Sequence, residues 1–168
     1  MRRQVTVAEG FQSMYEAEFA RVFRAVALVC GDRSVAEDAT QEAFARALAR
    51  WPRLRDAPWA AGWVTTTAIN VARRQLRHSP VPPDDPAPEP DREALLDLKV
   101  AIRRLPPRQQ EAVVLHYLLD LPVADAASAM RCDQGTVKTH LSRARISLGR
   151  SLERGADDQI EARTRNDG

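Results

Sequence analysis

Apolar positions along the chain recur at steps of three and four, and no stretch shows the strict alternation of a strand. Tyr15, Phe19, Val22, Val26 and Val29 form one stripe, predicting a first helix that Gly31 ends. Ser34 and Glu37 have capping-box spacing and predict the start of a second helix. Ala36, Ala43, Phe44, Ala47 and Trp51 supply its buried side, and Pro52 its stop. A third helix over 60–77 carries Thr65, Ile69, Ala72 and Leu76 on one face and Thr66, Asn70, Arg73 and Arg77 on the other. Farther along, Asp91 is placed to cap a helix reaching about Arg104, which Leu105-Pro106-Pro107 breaks. The next helix carries Ala112, Val113 and Leu115 to about Leu118, and another covers 123–130. The turn Arg131-Cys132-Asp133 then leads, with Asp133 as N-cap, into a longer helix from Gln134 to about Arg154. The pattern predicts an all-α fold.

Residues 79–91, SPVPPDDPAPEPD, interrupt this periodicity with six prolines and four acidic residues. Proline lacks the amide donor and blocks helix continuation, so the segment reads as an extended, semi-rigid linker. It divides the chain into a three-helix domain (10–78) and a four-helix domain (92–155), followed by a tail (156–168).

Composition excludes wholesale disorder, since 44% of the residues are hydrophobic. The formal charge is only +2, but its distribution is uneven. No acidic residue occurs over 57–83, where Arg73, Arg74, Arg77 and His78 cluster, nor over 138–150, which carries Lys138, His140, Arg143, Arg145 and Arg150. Two such patches suit a polyanion, although either alone could be a solvated helix face. Cys30 and Cys132 have no Cys or His partner at metal-ligand spacing and read as small buried hydrophobes of a reducing cytosol. His78, His116 and His140 are scattered, and no glycine loop of the phosphate-binding kind occurs. Neither enzyme chemistry nor a metal or cofactor is expected. MRRQVTVAEG has no apolar run behind its arginines, and no stretch approaches the ~20 apolar residues of a bilayer span. The expectation is a cytoplasmic protein without membrane contact.

The most informative constellation is LPVADAASAMRCDQGTVKTHLSRAR, residues 121–145. A helix rich in small residues (Ala126, Ala127, Ala129) permits close crossing; a short turn and a second helix follow. That is the order of a helix-turn-helix, whose second helix enters the major groove. Val137, Leu141, Ala144 and Leu148 form a packing stripe on the second helix. Lys138, Thr139, Ser142 and Arg143 form another face, with Gln134, Thr136 and Arg145 beside it, able to reach base edges and phosphates.

These residues resemble those of extracytoplasmic-function sigma factors of bacterial RNA polymerase, in the sigma-70 superfamily. GTVKTHLSRAR (135–145) is similar to their recognition helix, and LPPRQQEAVVLHYLLDLPVADAA (105–127) to the stretch before it. AEDATQEAFARALARW (36–51) resembles the helix that docks on polymerase, and WVTTTAINVARRQLRH (63–78) the helix that melts and reads the −10 element. The resemblance runs over about 11–153 in the family's order, and ARWPRLRD (49–56) is similar to the SigE-like branch. It implies that Asp38, Gln41 and Glu42 contact the clamp coiled coil of the largest polymerase subunit. It places Thr66, Asn70, Arg73, Arg74 and Arg77 at −10 DNA, with Trp59 or Trp63 as a stacking surface beside a loop (52–62) that receives a flipped base. Gln134, Thr136, Lys138, Thr139, Ser142, Arg143 and Arg145 then face the −35 element. The implied partners are the polymerase core (clamp and flap), promoter DNA and an anti-sigma protein.

Two departures stand out. Arg74 replaces an aspartate the family often has four residues after the asparagine, which bears on the −10 contacts. At the first helix of the helix-turn-helix, Pro122 stands where the family has a Ser or Thr cap, with Asp125 where it favours Glu. The linker is expected to hold the domains apart on polymerase so that they span separated promoter elements; in the free protein the two could still associate. The alternative reading is a helix-turn-helix regulator that binds operator DNA by itself, which leaves 34–78 without a role.

Overall fold

The structure, a computed structural model, describes residues 2–78 and 92–166, with side-chain environments for 10–78 and 95–154. The expected linker and the capping residue Asp91 lie outside the described residues. The described residues are helical and include no strand. The first domain contains α1 (Arg2–Cys30), α2 (Arg33–Ala49), α3 (Trp51–Leu54) and α4 (Ala60–His78). The second contains α5 (Arg92–Arg103), α6 (Pro107–Val113), α7 (Val123–Met130) and α8 (Gln134–Asn166).

Small side chains set the first core. Ala36, Ala39, Ala43 and Ala47 of α2 lie fully buried against Val22 and Val26 of α1 and Val64, Ala68, Ile69 and Ala72 of α4. Alanine adds no rotamer entropy cost and lets helix backbones approach closely. Phe44 fills the remaining volume, with its ring 4.9 Å from Tyr15, 5.7 Å from Phe19 and 6.4 Å from Phe11. The second core gathers Ala112, Val113, Leu115, Ala126, Ala127, Met130, Val137, Leu141 and Ala144.

Element ends differ from the sequence reading at four places. The N-cap of α2 is Asp32, whose carboxylate accepts the Val35 amide at 2.8 Å; Ser34 lies inside the helix. Aspartate caps as well as serine, and the earlier residue captures the free amide. Pro52 does not stop α2, which ends at Ala49; it sits in the first turn of α3, where a missing amide costs nothing. Beyond Val113, residues Val114–Leu118 form a π-helical turn, with the Leu119 amide on the Val114 carbonyl at 3.1 Å. Finally, α8 continues to Asn166, past the expected end near Arg154.

The two domains pack against each other. Trp59 and Leu121 touch both cores, and Val114 and Leu119 of the second domain are buried in the first. At Gly62 of α4 a Cβ would stand 2.7 Å from Leu121 Cδ1 and 2.9 Å from the Ala129 methyl. Of the three alanines assigned to the helix-turn-helix crossing, Ala129 therefore meets the other domain. Arg21 Nη2 donates to the Leu119 carbonyl at 3.0 Å and Arg103 Nε to the Leu28 carbonyl at 2.8 Å, tying the ends of the contact.

Phe44→Ala removes the largest fully buried side chain of the first core, and its alanine neighbours cannot expand to fill the space. It should destabilise the protein by about 3–5 kcal/mol, read from the shift in a urea unfolding midpoint.

Candidate nucleic-acid interface

The recognition helix is anchored at its first turn. The Asp133 carboxylate accepts the Thr136 amide through Oδ1 and the Thr136 hydroxyl through Oδ2, both at 2.8 Å. These bonds, the backbone one foremost, hold the Asp133 carboxyl below its ordinary range. Before it, Arg131 takes a left-handed conformation (φ 54°) at the C-cap of α7, turning the chain sharply into α8. Val137, Leu141 and Ala144 are buried beneath α8, so its opposite side faces outward. Gln134, Lys138, Thr139, Ser142, Arg143 and Arg145 are exposed, as the sequence reading requires. Two of the predicted contacts have internal duties: Thr136 completes the cap, and Arg145 Nη1 donates to the Tyr117 hydroxyl at 3.1 Å. The Thr139 hydroxyl donates to the Gly135 carbonyl at 3.0 Å, which leaves its oxygen free to accept.

On α4 the predicted residues separate into two groups. Asn70, Arg74 and Arg77 are exposed. Thr66 and Trp63 are each only 8% exposed, and Trp59 is wedged where the two cores meet. Arg73 is turned toward the second domain. Its Nη1 donates to Glu111 Oε1 at 2.8 Å, and its Nη2 to Gln110 Oε1 at 2.6 Å and the Pro107 carbonyl at 3.2 Å. Glu111, with 3% side-chain exposure, also accepts from Arg108 Nη1 at 2.8 Å.

The polymerase-binding candidates lie along one side of α2. Asp38 and Gln41 are exposed, while Glu42 is half-buried and paired with Arg46. Arg74, the departure on α4, approaches the same Glu42 carboxylate at 3.9 Å.

A polar cleft of about 290 Å³ opens between the domains. Arg46, Arg50, Thr67 and Asn70 line one wall, and Arg108 and Arg131 the other. The Arg50 guanidinium covers the Trp63 ring at 5.5 Å. Sequence reasoning did not assign Arg46, Arg50, Arg108 or Arg131 to any site. They come from three separate segments, and of the four Arg46 lies one helical step from an assigned residue, Glu42.

Fold and surface together define a two-domain helical protein with a helix that exposes basic side chains in each domain. The Sigma-70 region 2 family matches residues 14–79, and the Sigma-70, region 4 family matches 90–148. The ECF RNA polymerase sigma factor BldN of Streptomyces coelicolor is 32% identical over 90% of this chain, which spans 63% of BldN's length. The probable RNA polymerase sigma-C factor of Mycobacterium bovis is 34% identical, the aligned region covering 76% of this chain and 75% of that factor. The RNA polymerase sigma-E factor of S. coelicolor stands beside them at 30%. The sigma factor RpoE of Bartonella quintana, solved with the anti-sigma factor NepR, shares the fold with a TM-score of 0.68 at 24% identity. That alignment covers 85% of this chain and 96% of RpoE. The chain belongs to the extracytoplasmic-function sigma factors of the sigma-70 family, proteins of transcription initiation rather than enzymes.

The Asp133 cap supplies a pH test. A carboxyl held below its unfolded value contributes stability that is present above that value and is lost as pH falls through the native one. Asp133→Ala should therefore lower the melting temperature at neutral pH. The gap to the native protein should close as pH falls through the carboxylate range, measured by circular dichroism at several pH values.

Proposed function

We propose that this chain binds core RNA polymerase through α2, engages −10 DNA with α4 and reads the −35 element with α8. The observation that carries the reading is the outward cluster Lys138, Thr139, Ser142 and Arg143 on a capped helix whose opposite side is buried in a helix-turn-helix. Thr139 and Arg143 are one turn apart and aim at neighbouring base pairs; Arg150 lies farther along, toward the phosphates. Asp38 and Gln41 supply exposed acidic and amide groups for the clamp, and Glu42 shapes that surface through Arg46 and Arg74. Asn70, Arg74 and Arg77 are the α4 groups open to DNA in this arrangement. Arg74 brings a cation to the edge of the polymerase-binding helix. An anti-sigma protein is the further partner class, supported by the complex in which the structural neighbour was solved. The protein acts in the cytoplasm, with the chromosome and polymerase; no described helix is long and apolar enough to cross a membrane. A stand-alone operator-binding regulator is not favoured, because the region 2 family matches residues 14–79, most of the first domain.

Two experiments test this reading. Asp38→Arg with Gln41→Arg changes exposed positions only and should abolish co-purification with core polymerase while the circular dichroism spectrum is retained. Unchanged core affinity in the folded variant would remove α2 from the polymerase interface. For α8, run-off transcription compares matched and altered −35 elements. Arg143→Ala should lower initiation selectively on the matched element by about tenfold to a hundredfold, corresponding to the 1–3 kcal/mol of an arginine–guanine pair. Arg150→Ala should lower both promoters by the same factor. An equal loss on both promoters in Arg143→Ala makes Arg143 a backbone contact instead.

A further inference from the structure

An apolar groove of about 440 Å³ runs between α1 and α5 and shares no residue with the candidate DNA and polymerase surfaces. Phe23, Ala27 and Leu28 of α1 and Leu98 and Ile102 of α5 form its walls. Leu95 and Leu118 are left 50% and 41% exposed at its edge, so apolar lining stays open to solvent. Four cations belong to the same lining: Arg24, Arg33, Lys99 and Arg103. Among the described residues, no acidic side chain does. An apolar concavity with a few polar groups of one sign is the layout of a small-molecule site, where the charge orients an apolar body.

Two of the cations are held in place without being neutralised. Arg103 Nε donates to the Leu28 carbonyl at 2.8 Å, which leaves its Nη groups without an acceptor among the described residues. Gly31 makes room for it: in its left-handed conformation (φ 75°) a Cβ would stand 3.1 Å from Arg103 Cζ. The Arg33 guanidinium lies over the Phe23 ring at 5.0 Å. Among the described residues, none of the four cations forms an ion pair. We propose that the groove binds a free single-chain amphiphile with an anionic head, of the medium-chain carboxylate class. The alkyl chain lies between α1 and α5, and the carboxylate sits among Arg24, Arg33, Lys99 and Arg103. A membrane surface needs a protruding apolar face, whereas a concave groove between two helices admits a single chain. The inference goes beyond the transcriptional reading and is independent of it.

The first test needs no variant. Decanoate is titrated into the full chain by isothermal calorimetry below its micelle concentration. Decanol and decyltrimethylammonium serve as the neutral and cationic partners of the same alkyl chain. Decanoate should bind once per chain and about tenfold tighter than decanol, the gain of hydrogen bonds to a charged group. Decyltrimethylammonium should not bind. Each buried methylene is worth about fourfold in affinity, so octanoate should bind roughly fifteenfold more weakly than decanoate. Equal binding of the three heads overturns the proposal, as does uptake of several decanoates per chain without dependence on chain length.

The second test changes the rim. Arg24→Glu with Lys99→Glu leaves two cations against two carboxylates and should bring decanoate down to the affinity of decanol, with the circular dichroism spectrum retained. Leu95→Glu, at an exposed position, keeps the question open to test if that pair fails to fold. It sets a carboxylate at the groove edge and should weaken decanoate by about tenfold. Unchanged decanoate affinity in a folded variant overturns the proposal. So does binding to phosphatidylglycerol vesicles without binding of decanoate, which makes the face a membrane contact. Decanoate that binds only after Asp84, Asp85, Glu89 and Asp91 are changed to their amides identifies the chain's own acidic segment as the occupant and also overturns it.

Discussion

Glu111 is the one charged side chain that is buried among the described residues, and the arrangement of the molecule turns on how its charge is met. A carboxylate taken out of water without partners costs several kcal/mol. Arg108, one turn earlier on α6, meets it from within the second domain, and Arg73 meets it from the first. The first pairing keeps the second domain intact by itself. The second welds the domains together at the middle of α4. Because both guanidiniums share one carboxylate, the inter-domain bond can be lost without leaving Glu111 bare, which separates domain stability from domain closure.

Closure also depends on side chains that are absent. Gly62 gives α4 a flat spot, and Ala129 presents only a methyl to it, so the helices approach to within contact of Leu115 and Leu121. The glycine here serves proximity rather than backbone freedom, since it lies inside a regular helix. The π-helical turn at Val114–Leu118 contributes as well. It carries Val114 into the first core while Leu115 remains in the second, so one short segment packs on two sides. Trp59 does the same from the first domain.

The exposed surfaces of α8 and α4 depend differently on this packing. The α8 surface is organised locally: Asp133 fixes the helix start, Val137, Leu141 and Ala144 hold its inner side, and the cationic side faces solvent. The α4 surface is divided by the contact, with Asn70, Arg74 and Arg77 outside and Thr66 and Arg73 beneath.

Helices, their approximate limits, the division into two helical domains and the outward polar side of α8 were legible in the sequence because each depends on residues within a turn or two. Steps of three and four, a cap at Asp133 and a glycine stop at Gly31 act over distances the chain itself sets. Local competition already blurred the ends: Asp32 capped α2 ahead of Ser34, and Pro52 opened a turn instead of closing one. What periodicity could not supply was the partner of each face. Thr66 and Arg73 have the spacing of an exposed stripe, and nothing in that spacing reveals Gln110 and Glu111, 37 and 38 residues farther on, closing over Arg73. Trp59, Gly62 and Ala129 likewise read as loop, helix and crossing residues until the second domain lies against them. The helices follow from neighbouring residues, whereas the contact between the domains follows from a long-range ion pair and a close approach that only the assembled fold creates.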